Sequence, residues 1–155
     1  MPTTNTYKTG ALKTIIWLGF LTGSLDAIAA MLLSWGTSPE IIFKFIASGY
    51  FGKPAFNGGV EMVVAGVIFH YLIAYIFTLF FYLLYPFVQN IAKNKYVVAV
   101  IYGGIAWVIM NMLVIPFTPI GAFPIKPLNV IKGVSALIIC LGLPVVLVAD
   151  RKNHK

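Results

Sequence analysis

The stretch Gly19-Phe20-Leu21-Thr22-Gly23-Ser24-Leu25-Asp26 lies inside an apolar run that covers residues 15–35. A run of about 21 apolar residues is long enough to cross a bilayer as one helix. Gly19 and Gly23 form a G-x-x-x-G pair, which allows a second helix to approach closely. At about 100° per residue, Asp26 falls on the same face as the two glycines. Because a carboxylate that faces lipid costs roughly 3 kcal/mol, we expect this face to meet another part of the protein.

The composition of the whole chain is that of an integral membrane protein. Of its 155 residues, 60% are hydrophobic and only 10% are charged, whereas soluble domains carry about 25% charged residues. The net charge of +7 comes from single or paired basic residues near the ends of apolar runs. That distribution is typical of membrane flanks and argues against nucleic-acid binding. The single cysteine, Cys140, cannot form an intrachain disulfide.

Hydropathy predicts one all-α membrane domain over residues 1–155, with four transmembrane helices at about 13–35, 60–87, 97–117 and 130–149. After the first span, Thr37 and Glu40 fit a capping box, and Pro39 falls in the first turn. They predict a short helix over about 39–48, which is too short to span a membrane. Its apolar sequence indicates an interfacial or re-entrant helix in the first outer loop.

The lysines and arginines predict the orientation of these spans. Seven of them lie in the two termini and in the turn after the second span, and four lie on the other side. Since cytoplasmic loops carry the excess of basic residues, we expect both termini to be cytoplasmic. The two long apolar connections then face outward.

Three polar side chains are predicted to share one layer in the outer half of the membrane. At about 1.5 Å per residue, Asp26, His70 and Asn111 lie about 3, 5 and 6 Å outward from the centres of their spans. Each of them lies on the small-residue face of its helix. Four glycines on these faces are predicted to pack against neighbouring helices: Gly19, Gly23, Gly66 and Gly104.

These polar residues have both functional and structural interpretations. Asp26 is a candidate for transport, ligand binding or proton exchange, or it only locks helices together. His70 could accept a proton, bind a metal or donate to a carbonyl, and we hypothesise a contact with Asp26. One histidine and one acid fall short of the four ligands of a structural zinc site, so no metal or cofactor is predicted. Asn111 is expected to act mainly as an interhelical hydrogen-bonding group.

Several short motifs follow one another along nearly the whole chain. They are Gly19-x-x-x-Gly23-x-x-Asp26, Ile46-Ala47-Ser48-Gly49-x-x-Gly52, Gly66-x-x-x-His70-x-x-Ile73-Ala74, Tyr102-Gly103, Met110-Asn111, Pro116 and Gly142-Leu143-Pro144. In this order they resemble a widespread family of small bacterial four-span membrane proteins without an assigned function. The resemblance implies four helices in a bacterial inner membrane. It implies no activity, substrate or cofactor.

Three functions compete at this point. The first is a small carrier or channel, which could be linked to protons; the second is a structural or assembly protein in which the polar residues fix helix packing. The third is a membrane enzyme acting on a lipid or quinone. It is the weakest, because we find no nucleophile beside a base and no second carboxylate in the membrane layer. Small multidrug transporters also have four spans and an acid in the first span. Their loops are short, however, so we do not assign this chain to that family. Membrane lipids are the expected partners, and a homodimer is a further hypothesis.

Overall fold

The computed structural model describes residues 4–153, with side chains described over residues 12–151. Four of its helical segments are long and apolar enough to cross a membrane. These spans are Leu12–Leu33, Val60–Ala92, Lys95–Phe117 and Pro127–Arg151. The prediction of an all-helical chain with four such helices is therefore confirmed.

The second span is longer than its hydropathy predicted and continues through Pro86 to Ala92. The helices in chain order are α1 (Thr4–Leu33), α2 (Pro39–Phe51), α3 (Val60–Ala92), α4 (Lys95–Val108), α5 (Pro127–Leu137) and α6 (Leu143–Asn153). Two π-helical turns, Ile109–Val114 and Ile138–Gly142, interrupt the third and fourth spans. A π turn has a wider hydrogen-bonding ring than an α-helix, so the faces of these two spans rotate near their middles. Short 3₁₀ turns occupy Lys53–Asn57 and Ile115–Phe117.

The four spans close into a ring. The first span packs against α3 and the fourth span, and the third span packs against the same two neighbours. Fully buried side chains fill the half of the bundle that contains the turn between α3 and α4, where the Phe81 and Tyr102 rings stack with centroids 4.4 Å apart. At the same end the Tyr85 hydroxyl donates to Asp150 Oδ1 over 2.8 Å, and Lys95 Nζ lies 3.1 Å from Asp150 Oδ2. Asp150, which follows the predicted fourth span, thereby links three helices.

Three of the four glycines predicted at helix contacts, Gly19, Gly23 and Gly66, lie close to a neighbouring helix, and two further glycines do so as well. A Cβ added at Gly103 would meet the backbone of Ile138, and one added at Gly142 would meet the Ala99 carbonyl. Around Gly104 there is open space, and Val108 on the same face is 46% exposed. The packing role predicted for Gly104 is therefore wrong within the described chain. A shift of one residue turns a helix by about 100°, which separates the packed face from the open one.

Helix α2 begins at a different cap from the predicted one. The Ser38 hydroxyl, and not that of Thr37, accepts a hydrogen bond from the Ile41 N–H, while Pro39 occupies the first turn as expected. Glu40 pairs with Lys44 one turn later. The backbone of α2 lies directly on α3, since a Cβ at Gly66 would coincide with the Phe43 carbonyl. The segment after the third span covers the other side of α2: Thr118 lies near Gly49, Pro119 near Gly52, and the Phe45 and Phe123 rings are 5.6 Å apart.

Candidate functional site

A cavity of about 220 Å³ lies between the helices in the half of the bundle that the core does not fill. Its walls come from α1, α2 and α3, with Met110 from the third span and Leu137 and Leu141 from the fourth. Its lining is apolar except for Thr22, Asp26 and His70. An interior space of this size, with a few polar groups, is the usual form of a small-ligand site.

Asp26 is half-buried in the wall of this cavity. Among residues 12–151 its carboxylate makes no hydrogen bond or ion pair, although His70 and Cys140 are near enough to interact with it electrostatically. A buried carboxylate without a partner is costly, so water or a ligand in the cavity has to supply the missing hydrogen bonds.

His70 is buried beside Asp26 but forms its hydrogen bond with the backbone. Its Nε2 lies 2.8 Å from the carbonyl oxygen of Gly23. Because a carbonyl only accepts, Nε2 carries the proton, and in the neutral ring Nδ1 is left as an acceptor. The predicted contact with Asp26 is not an ion pair in the described chain. The two residues share a cavity instead.

Glycine makes the His70 hydrogen bond possible. A Cβ at Gly23 would lie 2.9 Å from the Tyr71 ring, and one at Gly19 would meet the Tyr75 ring. Only a bare backbone lets α3 come close enough for a side chain to reach a main-chain carbonyl of α1. The G-x-x-x-G pair therefore serves both packing and the geometry of the site.

Hydroxyl groups add links between α1 and α3 that the sequence analysis missed. The Thr22 and Thr78 hydroxyls lie 2.8 Å apart, and Thr22 Oγ1 is also 3.2 Å from the Gly19 carbonyl oxygen. The Ser24 and Tyr71 hydroxyls are 2.9 Å apart. One signal was present in the sequence, because Thr22 lies four residues before Asp26 and shares its face.

Asn111 is not brought to the cavity. Its Nδ2 donates to the Trp107 carbonyl oxygen over 3.0 Å, within its own span, and its neighbour Met110 lines the cavity instead. Among the described residues, the interhelical hydrogen bond predicted for Asn111 is not formed. The cause is the π turn Ile109–Val114, which changes the angular step on which the helical-wheel prediction depended.

The charged groups of the cavity are few. In the part of the chain with described side chains, no group of three or more His, Cys, Asp or Glu residues is placed to hold a metal ion.

The cavity ends at the buried core on one side. Phe77 lines the cavity and stacks on Phe81 of that core, with ring centroids 5.8 Å apart. On that side the cavity ends on packed side chains.

No protein-family model, curated protein or solved structure matches this chain. The function has to be argued from the cavity itself.

Proposed function

We propose that the protein is a small membrane carrier whose solute site is the cavity around Asp26 and His70. One observation carries the proposal: a half-buried carboxylate, which has no hydrogen-bond partner among residues 12–151, faces a space large enough for a ligand. An ionisable group inside a membrane bundle most often marks a substrate or ion pathway. Asp26 can bind a cationic group or exchange a proton, and His70 Nδ1 offers a second acceptor nearby.

A carrier fits this geometry better than an open channel. The cavity occupies one half of the bundle, and the other half is closed by fully buried side chains such as Phe81 and Tyr102. Passage across the membrane would then require the packed half to rearrange, which is the motion of alternating access. A channel would need a continuous opening past these rings.

A structural role is the competing function. The Thr22–Thr78 and His70–Gly23 hydrogen bonds join α1 to α3 and would fix the register of a purely structural bundle. That role explains His70 fully but leaves Asp26 without a reason, because the acid bonds to no helix neighbour among the described residues. The competing function therefore predicts that replacing Asp26 changes folding or stability at most, and that no solute transport depends on its carboxylate.

We further propose that the chain lies in a bacterial inner membrane with both termini cytoplasmic, as the lysine and arginine distribution indicates. In this orientation α2 and the segment 118–126 face outward, at the interface or re-entering the membrane. Ile42, Phe43 and Ile46 of α2 line the cavity, so α2 would form its outer cover.

The accessibility of Asp26 to water tests the cavity. In a Cys140→Ala background, Asp26→Cys should react with a small hydrophilic methanethiosulfonate reagent added from the outside. Ala106→Cys is a matched control, because Ala106 is fully buried in the third span. We expect the control to react at least tenfold more slowly. Equal protection of both cysteines would contradict the carrier proposal.

Proton movement tests the role of the carboxylate. The full-length protein is reconstituted in liposomes with an internal pH dye, and a panel of small solutes is added outside. Asp26→Asn should abolish solute-induced pH changes while the protein still folds. Glu61→Gln is the control, since Glu61 is exposed and does not line the cavity. If Asp26→Asn keeps wild-type activity, the acid is not part of the transport site; if it unfolds the protein, the structural role gains.

A further inference from the structure

The charged residues around the cavity indicate whether its ligand is a cation or an anion. Asp26 is the only acid in the lining, and His70 is the only other ionisable residue there. His70 already uses its Nε2–H on Gly23, and Lys44, which is buried nearby on α2, is paired with Glu40. Among residues 12–151 no basic side chain forms an ion pair with Asp26, although His70 is near enough to interact with it electrostatically. An anionic ligand would meet an uncompensated carboxylate, whereas a cation would supply the missing partner.

The walls of the cavity indicate the size and polarity of the group that it can hold. Apart from its three polar residues the lining is aliphatic or aromatic, and it includes the rings of Phe43 and Phe77. Aromatic faces attract cations that have lost their water, and this attraction is strongest at dry sites. A volume of about 220 Å³ exceeds the roughly 150 Å³ of an engineered cavity that holds benzene. A quaternary ammonium group with short substituents fits both the size and the chemistry.

A second cavity adjoins the first. It has a volume of about 300 Å³, is almost wholly apolar, and lies between α2, α3 and the segment 110–120. Three lining residues are common to both cavities: Ile46, Ile73 and Met110. These are aliphatic side chains, and Met110 sits in a π turn, a feature that recurs at functional sites. Movement of these side chains would join the two spaces.

We propose that the ligand is an amphiphilic organic monocation, with its ammonium group beside Asp26 and its apolar chain in the second cavity. The inference rests on the proposed function and adds its substrate class. An amphiphile of this kind partitions into the outer leaflet, and the exposed apolar side chains of α3 around the second cavity, such as Leu72, offer it a lateral way in. The polar end then reaches the first cavity past Met110.

Binding to the full-length protein in nanodiscs tests the ligand class. Titration calorimetry, with empty nanodiscs as reference, compares octyltrimethylammonium, octanol and octanoate, which share a chain and differ in charge. We expect the ammonium to bind at least tenfold more tightly than the other two. Asp26→Asn should remove this preference, and Glu61→Gln should keep it. Equal binding of the three probes, or no binding of the ammonium, would overturn the proposal.

A second pair of variants tests whether the octyl chain of the ligand lies in the second cavity. A Cβ at Gly49 would lie 3.7 Å from Thr118 Cγ2, an ordinary contact, so Gly49→Ala fits and Gly49→Leu should fill the second cavity. Gly49→Leu should weaken octyltrimethylammonium at least fivefold and leave tetramethylammonium unchanged, while Gly49→Ala changes neither. If Gly49→Leu binds octyltrimethylammonium as tightly as the wild type does, the octyl chain does not lie in the second cavity.

Failure of these binding tests differs from failure of the carrier proposal. Water access to Asp26→Cys depends only on the cavity, whatever its ligand. If Asp26→Cys is labelled but octyltrimethylammonium shows no preference, the cavity stays a solute site and the cationic class is wrong.

Discussion

Asp26 and His70 show how two neighbouring side chains can have different roles. His70 donates to Gly23 across the contact between α1 and α3, so its ring is held by the backbone. Asp26 faces the same space without a protein partner among the described residues. One residue therefore stabilises the helix pair, and the other remains available for chemistry.

The structural role of His70 can be measured directly. His70→Ala removes the donor to Gly23 and leaves a void, and we expect a loss of about 1–2 kcal/mol in the free energy of unfolding. His70→Gln keeps an N–H donor of similar reach and should recover part of the loss. Reversible unfolding in mixed detergent gives both values. Equal destabilisation by the two variants would mean that the hydrogen bond contributes nothing.

Two glycines that lie inside membrane-spanning helices should respond in opposite ways to substitution by alanine. Gly66→Ala places a methyl group on the Phe43 carbonyl, which cannot move unless α2 moves, so we expect a loss of about 1–3 kcal/mol. Gly104→Ala enters open space on a helix and should be neutral or stabilising by up to about 1 kcal/mol. Melting temperatures in detergent decide the comparison. A Gly66→Ala protein as stable as wild type would show that α2 is not seated on α3.

At the scale of elements, α2 connects the bundle to the cavity. It is too short to span a membrane, yet its residues Lys44, Ala47 and Ser48 are buried against the spans. Its N-terminus is set by Ser38 and Pro39, and its C-terminus ends at Gly52, whose φ of +70° favours glycine. Because α2 contributes cavity walls, we expect its seating on α3 to control how open the cavity is.

Displacing α2 should therefore expose Asp26. Ala47 is fully buried, so Ala47→Leu has no room and should lift α2 from the bundle. We expect Asp26→Cys to be labelled from the outside about tenfold faster than in the protein with Ala47. A tenfold change corresponds to a decrease of about 1.4 kcal/mol in the free energy of opening the cavity. Ile41→Phe, at a position of α2 that is 50% exposed, is the control and should leave the rate unchanged. An unchanged rate with Ala47→Leu would exclude α2 as the cover.

The whole molecule is divided between a packed end and a hollow end. Near the turn between α3 and α4 the core is fully buried and is linked by Tyr85, Lys95 and Asp150. The other end contains both cavities and the two long connections. A carrier would hold the packed end closed in this state and open it in another.

The proposed orientation gives a prediction for the molecule as a whole. A phosphatase reporter that is active only outside the cytoplasm should be inactive when fused after Lys155 and active when inserted within residues 118–127. The expectation follows from the seven basic residues on one side and four on the other. A green fluorescent reporter, active only inside, should give the opposite pattern. An active phosphatase after Lys155 would reverse the assigned orientation.

Three properties could be predicted from the amino-acid sequence alone: the number of spans, a short helix after the first span, and the helix face that carries Gly19, Gly23 and Asp26. These properties follow from local hydropathy, capping and helical period, which depend on near neighbours in the chain. The sequence also paired Asp26 with His70 in one layer, and both line one cavity.

The other features of the site depend on contacts between distant parts of the chain. In the π turn Ile109–Val114, Met110 and not Asn111 lines the cavity, and in α4 Gly103 and not Gly104 lies at the helix contact. Donation to a carbonyl was one of the predicted alternatives for His70, but that the partner is Gly23 depends on how closely α1 approaches α3. The physical reason is that a π turn forms where packing between spans favours a rotated face over the regular hydrogen-bond ladder. That balance depends on the distant residues that meet at the contact.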